Sequence, residues 1–228
     1  MPEPVLVAWS GGKDSALALR AVLADPSLEV EALLTTVTRE YDRISVHGVR
    51  RSLLHAQVRA LGLPLFEMEI PAACDNATYE AALADALRAA RERNDGVHRC
   101  AFGDLFLEDV RRYREERLAR LGMQPVFPLW GKHTGELART FIDEGFRAVV
   151  VCVDSTLLAP SFSGREYDES FLEDLPQGVD PCGENGEFHT FVYDGPLFRE
   201  RMEFSVGKTV TRDERFVYTD LFPRGTHS

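Results

Sequence analysis

Two short stretches of this chain gather side chains that can do chemistry. The first is Ser10-Gly11-Gly12-Lys13-Asp14-Ser15. Adjacent glycines let backbone N–H groups approach an anion closely, the Ser10 and Ser15 hydroxyls can donate to it, and Lys13 adds a compact positive charge. Asp14 is the odd member, because polyphosphate repels a carboxylate unless that carboxylate caps a helix or holds Mg2+. The second stretch is PCGENGEFHTFVYDGP (181–196), where Glu184 and Glu187 stand three apart in a glycine-broken loop. Two carboxylates on a tight loop can bind an amine or ammonium, or act as a general base. The same loop also reads as a surface turn with solvated glutamates.

Such groups need elements to hold them. PVLVAW (4–9) reads as a strand and 14–24 as a helix, with Ala16, Leu19, Val22 and Leu23 on one face. The first stretch therefore falls on a strand–turn–helix, the geometry whose converging N–H groups and helix dipole bind phosphate. An unliganded turn with a capping Asp or Ser is the plain alternative. The Walker pattern is absent: Gly207-Lys208-Thr209 would need glycine at 202, which is Met202. The dinucleotide fingerprint is absent too.

Strands follow at 30–37, 65–70 and 100–104, and helices at 46–61, 76–94 and 105–121. This alternation predicts an α/β domain, a parallel sheet with helices on both faces. After PVFPLWG (125–131) come one more helix (134–144) and a strand (148–154), then a Gly/Pro-rich segment and a β-like tail. We place a boundary near 130, with a domain over 1–130 and a smaller α+β domain over 131–228.

Gly103-Asp104 lies at a strand's carboxyl end, where ligands bind in parallel sheets. Asp104 could orient an acceptor or a metal there, or cap the helix from Leu105. His47, beginning the helix after the second strand, could touch phosphate or substrate. Arg111, Arg112, Arg114, Arg117 and Arg120 interleave with Glu115 and Glu116 as a solvated face would. The cysteines, Cys74, Cys100, Cys152 and Cys182, show no metal or CxxC spacing and read as free thiols in a reducing compartment. A net charge of −11 argues against salt-driven binding to nucleic acid. No apolar run is long enough to span a membrane, and the N-terminus does not look like a signal peptide, so a cytoplasmic location is expected.

Ser10 to Ser15 resembles the SGGxDS loop of the PP-loop ATP pyrophosphatases. Cys182-Gly183-Glu184-Asn185-Gly186-Glu187-Phe188-His189-Thr190, with Asp194-Gly195-Pro196, is similar to the CGEGGEFET…DGP signature of diphthine–ammonia ligases. Gly103, Asp104, Arg117 and Pro128-Leu129-Trp130 also fit that family, so the resemblance runs from Val5 to about Phe204. Two positions depart from it: Asn185 stands for a glycine, and His189 for a glutamate, exchanging a fixed charge for a titrating group.

The resemblance implies a Rossmann-like (HUP-type) nucleotide-binding domain, with ATP and Mg2+ as cofactors. ATP would lie on Ser10, Gly11, Gly12, Lys13, Asp14, Ser15, Thr35, Val37 and Gly103, with the adenine at the end of the second strand. Lys13, Asp104, Glu184 and Glu187 would be catalytic, while His47, Arg117, Asn185 and His189 would face the acceptor. The expected reaction activates a carboxylate by adenylylation, releasing pyrophosphate, for attack by ammonia. Free ammonium is the expected nitrogen source, because no glutaminase domain or N-terminal cysteine nucleophile is apparent. A small molecule or a protein could carry the carboxylate, and an exposed second domain could support a homodimer. A PP-loop tRNA-modifying enzyme and a nucleotide-binding module without catalysis are the alternatives.

Overall fold

The computed structural model describes residues 1–224; of the expected second domain, 225–228 lie outside the described residues. Packing divides the chain into two units that are not continuous in sequence. One comprises Met1–Ser10, Asp14–Ser45 and Leu63–Gly131, and the other Gly11–Lys13, Val46–Gly62 and the chain from Lys132 onward.

The first unit is built on a mostly parallel sheet. Its strands are β1 (Glu3–Ala8), β2 (Leu28–Thr38), β3 (Arg43–Ile44), β4 (Leu65–Ile70), β5 (Arg99–Ala101) and β6 (Gln124–Val126). β1 lies between β2 and β5, β6 adds beyond β5, and β2 carries both parallel β4 and the short antiparallel β3. The central strand β1 reads EPVLVA, with Val5, Leu6 and Val7 all fully buried, as a strand covered on two faces must be. The unit's helices are α1 (Lys13–Leu23), whose first residue groups with the second unit, α3 (Asn76–Arg93) and α4 (Glu108–Arg120). Leu83, Leu87 and Ala90 of α3 and Leu118 of α4 share one core with Leu6, Leu34 and Met68 of the sheet. Asp75 caps α3 by accepting from the Thr78 amide at 2.8 Å.

The second unit is built on an antiparallel sheet. Its strands are β7 (Arg147–Asp154), β8 (Phe188–Asp194), β9 (Phe204–Arg212) and β10 (Phe216–Pro223), in the order β8-β7-β10-β9. α2 (Arg51–Leu61), α5 (Thr134–Asp143), the short α6 (Glu169–Asp174) and a 3-10 turn at Pro160–Phe162 complete it. Phe141, Phe146, Phe171, Phe188 and Phe191 are buried in its core, several in edge-to-face contact.

Two helix starts differ from the sequence expectation. α2 begins at Arg51 and not at residue 46, because Val46 and Gly48 take left-handed backbone (φ 69° and 71°), which a right-handed helix cannot contain. His47 therefore sits in a turn ahead of the helix. α4 begins at Glu108 and not at Leu105, since Leu107 is extended. Asp104 is thus too far upstream to cap α4, and its carboxylate pairs with Arg114 instead. Among the described residues no helix is long and apolar enough to cross a membrane.

Candidate functional site

The glycine loop leaves β1 at its carboxyl end. The Trp9 amide donates to the Leu34 carbonyl at 2.8 Å, and the Thr35 hydroxyl donates to the Trp9 carbonyl at 2.7 Å. Thr35 is buried and holds the residue just ahead of the loop in place. Ser10 and Ser15 place their hydroxyl oxygens 3.3 Å apart across the turn. Gly11 is left-handed (φ 78°), which a glycine adopts without penalty. A Cβ on Gly103 would lie 2.8 Å from the Asp14 carbonyl carbon and oxygen, so only glycine lets the chain after β5 pass against the first turn of α1.

Gly11 to Lys13 are knit to β8 and α2 of the second unit. The Gly11 carbonyl accepts from the Val192 amide at 2.8 Å and from Gln57 Nε2 at 2.9 Å. Gln57, fully buried in α2, also donates to the Val192 carbonyl at 2.7 Å. The Lys13 amide donates to Thr190 Oγ1 at 3.0 Å. The Lys13 side chain is 2% exposed; its Nζ donates to the Cys182 carbonyl and lies 5.2 Å from the Phe188 ring and 5.8 Å from the Tyr167 ring. Those rings offer a desolvated ammonium the negative faces of their π-systems.

The glutamate loop runs from Asp180 into β8. Asp180 Oδ1 accepts from the Cys182 amide (2.9 Å) and the Glu184 amide (3.2 Å), which closes the turn. Glu187, 3% exposed, accepts through Oε1 from the Asp180 amide and from Asn185 Nδ2, both at 3.0 Å. Its Oε2 is buried and has no hydrogen-bond partner among the described residues. His189 on β8 and His47 lie ring to ring, with centroids 4.4 Å apart. A Cβ on Gly12 would be 3.3 Å from His47 Nε2, so the imidazole pair borders the glycine loop. Burial, and next the Lys13 charge, push the His189 imidazole down to about 4, so the ring is neutral at pH 7.

Comparison with known proteins bears directly on this loop and on the rest of the chain. Residues 4–125 match the model of the diphthamide synthase N-terminal domain, and residues 133–219 that of the diphthamide synthase C-terminal domain. The chain belongs to the diphthamide synthase family. The diphthine–ammonia ligase of Danio rerio is 30% identical over 227 residues, covering 90% of this chain and 88% of the relative. That of Bos taurus is 28% identical, covering 89% and 83%. With such relatives over 85% to 90% of its length, the chain is an enzyme of the ligase class. The crystal structure of a predicted subunit of tRNA methyltransferase from Methanocaldococcus jannaschii covers 65% of this chain and 80% of its own at 19% identity. Its TM-score is 0.40, too low to bear on function.

Within this chain, the second unit draws together Gly11, Gly12, Lys13, His47, Asn185, Glu187 and His189. Asn185 is exposed, and its amide is turned onto Glu187. In the first unit Val37 is fully buried in the sheet, so only its backbone could meet a ligand. Asp104 lies past the carboxyl end of β5, in a bidentate pair with Arg114 at 2.5 and 3.0 Å. Arg117 instead pairs with Glu80 of α3 and stacks on Tyr113.

Sequence reasoning passed over four residues that hold these groups. Arg114 orients Asp104 but is indistinguishable in sequence from its neighbours on α4. Gln57 did leave a signal, since it is the one polar residue among Leu53, Leu54, Ala60 and Leu61 on the buried face of α2. Thr190 stood at the end of the stretch similar to the family signature, but nothing there marked it as the partner of the Lys13 amide, and Tyr167 left no signal. Cys182 is buried, with its thiol 3.3 Å from the Thr134 carbonyl. Burial pushes the Cys100 and Cys152 thiols up to about 12 and about 11, which leaves them unreactive at neutral pH.

Proposed function

We propose that this chain is an ATP-dependent amide-forming ligase that activates a carboxylate by adenylylation. The observation that carries the reading is the glycine loop. It follows a central parallel strand, turns at left-handed Gly11 and ends in the first turn of α1, and its Lys13 is tied to the carbonyl of Cys182 in the family's glutamate loop. Such a loop suits a pyrophosphate group, through converging N–H donors and the helix dipole.

In this reading an acceptor carboxylate oxygen attacks the α-phosphorus of ATP. The bond to the β-phosphate oxygen breaks and pyrophosphate leaves. Lys13 and the loop N–H groups offset the charge that grows on the leaving oxygens. Ammonia then adds to the acyl carbon, AMP departs with the bonding pair, and the new nitrogen loses a proton to give the amide. Glu184 and Glu187 position the nitrogen nucleophile. Ser10, Ser15 and the backbones of Gly103, Thr35 and Val37 complete the ATP contacts. His47 and the neutral His189 face the acceptor, beside the loop at Gly12. The relatives' own acceptor, diphthine, is one candidate here, and Asn185 and His189 are where this chain would differ in handling it.

Mg2+ characteristically binds one or two carboxylates together with substrate phosphates. Asp14 suits it, lying within the loop, whereas both Asp104 oxygens already accept from Arg114. Among the described residues no cluster of three or more His, Cys, Asp or Glu forms a metal site by itself. Bound Mg2+ would supply further charge neutralisation at the polyphosphate.

The test is pyrophosphate release from ATP and Mg2+ with ammonium present, scanned over carboxylic acids that include diphthine. We expect release with at least one acceptor, with AMP and the amide in equal amounts. ADP as product, or equal release by wild type and Lys13→Ala, would overturn the reading.

A further inference from the structure

The glutamate loop contains a carboxylate that is only half satisfied. Glu187 is buried, and its Oε1 is held by two donors of its own loop, the Asp180 amide and the Asn185 side chain, each at 3.0 Å. Its Oε2, equally buried, accepts from no donor among the described residues. Buried carboxylate oxygens are normally paired, and one left open disfavours folding unless a ligand supplies the donor. Lys13, the buried cation of this region, has its Nζ on the Cys182 carbonyl.

We propose that Glu187 Oε2 is the docking point of the nitrogen donor, taken as free ammonium, and that Asn185 is a positioning residue that aims it. The proposal rests on the ligase reading for its purpose, and rests on the geometry of Glu187 for its place. Ammonium carries one positive charge and four N–H donors in the smallest possible volume, which matches a single buried anionic oxygen. His189, two residues further along the chain, is neutral at pH 7 and so brings no charge of its own. Asn185 matters because the terminal torsion of a glutamate is soft and two-fold. With only the Asp180 amide on Oε1, the carboxylate could rotate and exchange its oxygens. The second donor fixes which oxygen stays open. Where this chain has Asn185 the family pattern has glycine, so Asn185→Gly removes the aim with a residue the loop accepts.

The test is thermal unfolding of the full chain titrated with ammonium chloride, at constant ionic strength against sodium chloride. Methylammonium and tetramethylammonium chloride are run in parallel. Wild type should show a saturable rise in melting temperature specific to ammonium. Glu187→Gln should lose that rise while still unfolding cooperatively in sodium chloride. Asn185→Gly should keep the rise but need about tenfold more ammonium for half of it, the effect of one hydrogen bond to a charged group. A purely structural Asn185 would lower the melting temperature in every salt and leave that midpoint unmoved.

An ammonium response that survives Glu187→Gln, or its absence in wild type, overturns the site. An equal or stronger response to methylammonium overturns the choice of free ammonium. An unmoved midpoint in Asn185→Gly overturns the role of Asn185. Pyrophosphate release is measured separately. Failure there with the ammonium response intact would count against the ligase reading and leave the site standing.

Discussion

Asp104, partly buried, and Glu187, buried, are two carboxylates in different settings. Asp104 follows β5 in the first unit, and the fork of Arg114 holds both its oxygens while the guanidinium lies over the Phe102 ring. Glu187 precedes β8 in the second unit, and neutral donors hold one oxygen only. The first arrangement is complete in itself and can orient neighbours, but has little capacity left for a ligand. The second is incomplete by one donor. A charge paired in place serves position, while a charge left half-paired serves binding.

The largest effect should come from Lys13, which the half-paired region and the loop share. Lys13→Ala should lower ATP-dependent pyrophosphate release by a factor of about 10² to 10³, the typical cost of a lost electrostatic stabiliser. A variant whose only change is in melting temperature would recast Lys13 as a core residue and blunt the contrast.

The next effect concerns His189. Its ring holds protons less tightly folded (about 4) than unfolded (6.5). Between those values the unfolded chain binds the extra proton, so stability is complete above pH 6.5 and falls as pH drops toward 4. The loss should approach about 3 kcal/mol, read by denaturant unfolding across that range. His189→Gln should flatten that slope. An unchanged slope would mean that other groups set the acid limb.

Smaller again is the paired region itself. Arg114→Gln should cost about 2 kcal/mol of stability by leaving Asp104 without its fork, and should lower turnover through Asp104. Asp104→Asn combined with Arg114→Gln should cost less than the sum of the two. The smallest effect is Arg117→Gln, expected below about 1 kcal/mol, because its partner Glu80 is a partly exposed surface carboxylate. If Arg117→Gln instead abolished turnover and Arg114→Gln did not, the roles assigned on α4 would be exchanged.

Much of this was legible along the chain. Strand β4 and the start of α3 were expected where they occur, the strand over 65–70 and the helix from 76. The Gly-Gly-Lys turn could be placed between a buried strand and a helix from residue types alone. The starts of α2 and α4 were not legible. Val46 was drawn from its periodicity as helical, and its left-handed backbone lies in a turn whose Gly48 abuts the Tyr218 ring of β10, distant in sequence. That Arg114 is the arginine that meets Asp104 was hidden too. Both are arginines on one helix, and which of them meets Asp104 depends on how α4 lies on the sheet.

The sequence by itself determined the local devices of this protein. They include the alternation that makes a parallel sheet, the glycines that permit a tight anion loop, and the stretch similar to the family signature, with its two glutamates and this chain's own histidine. Local sterics and periodicity act within a few residues, and a reader of the chain can apply them directly. Only the tertiary structure decided which polar groups are satisfied. That Gln57 closes on Gly11, that Thr190 takes the Lys13 amide, and that Glu187 keeps one open oxygen all follow from contacts between residues far apart in the chain or from burial. Hydrogen-bond satisfaction and desolvation are properties of assembled surroundings, and no single segment carries them.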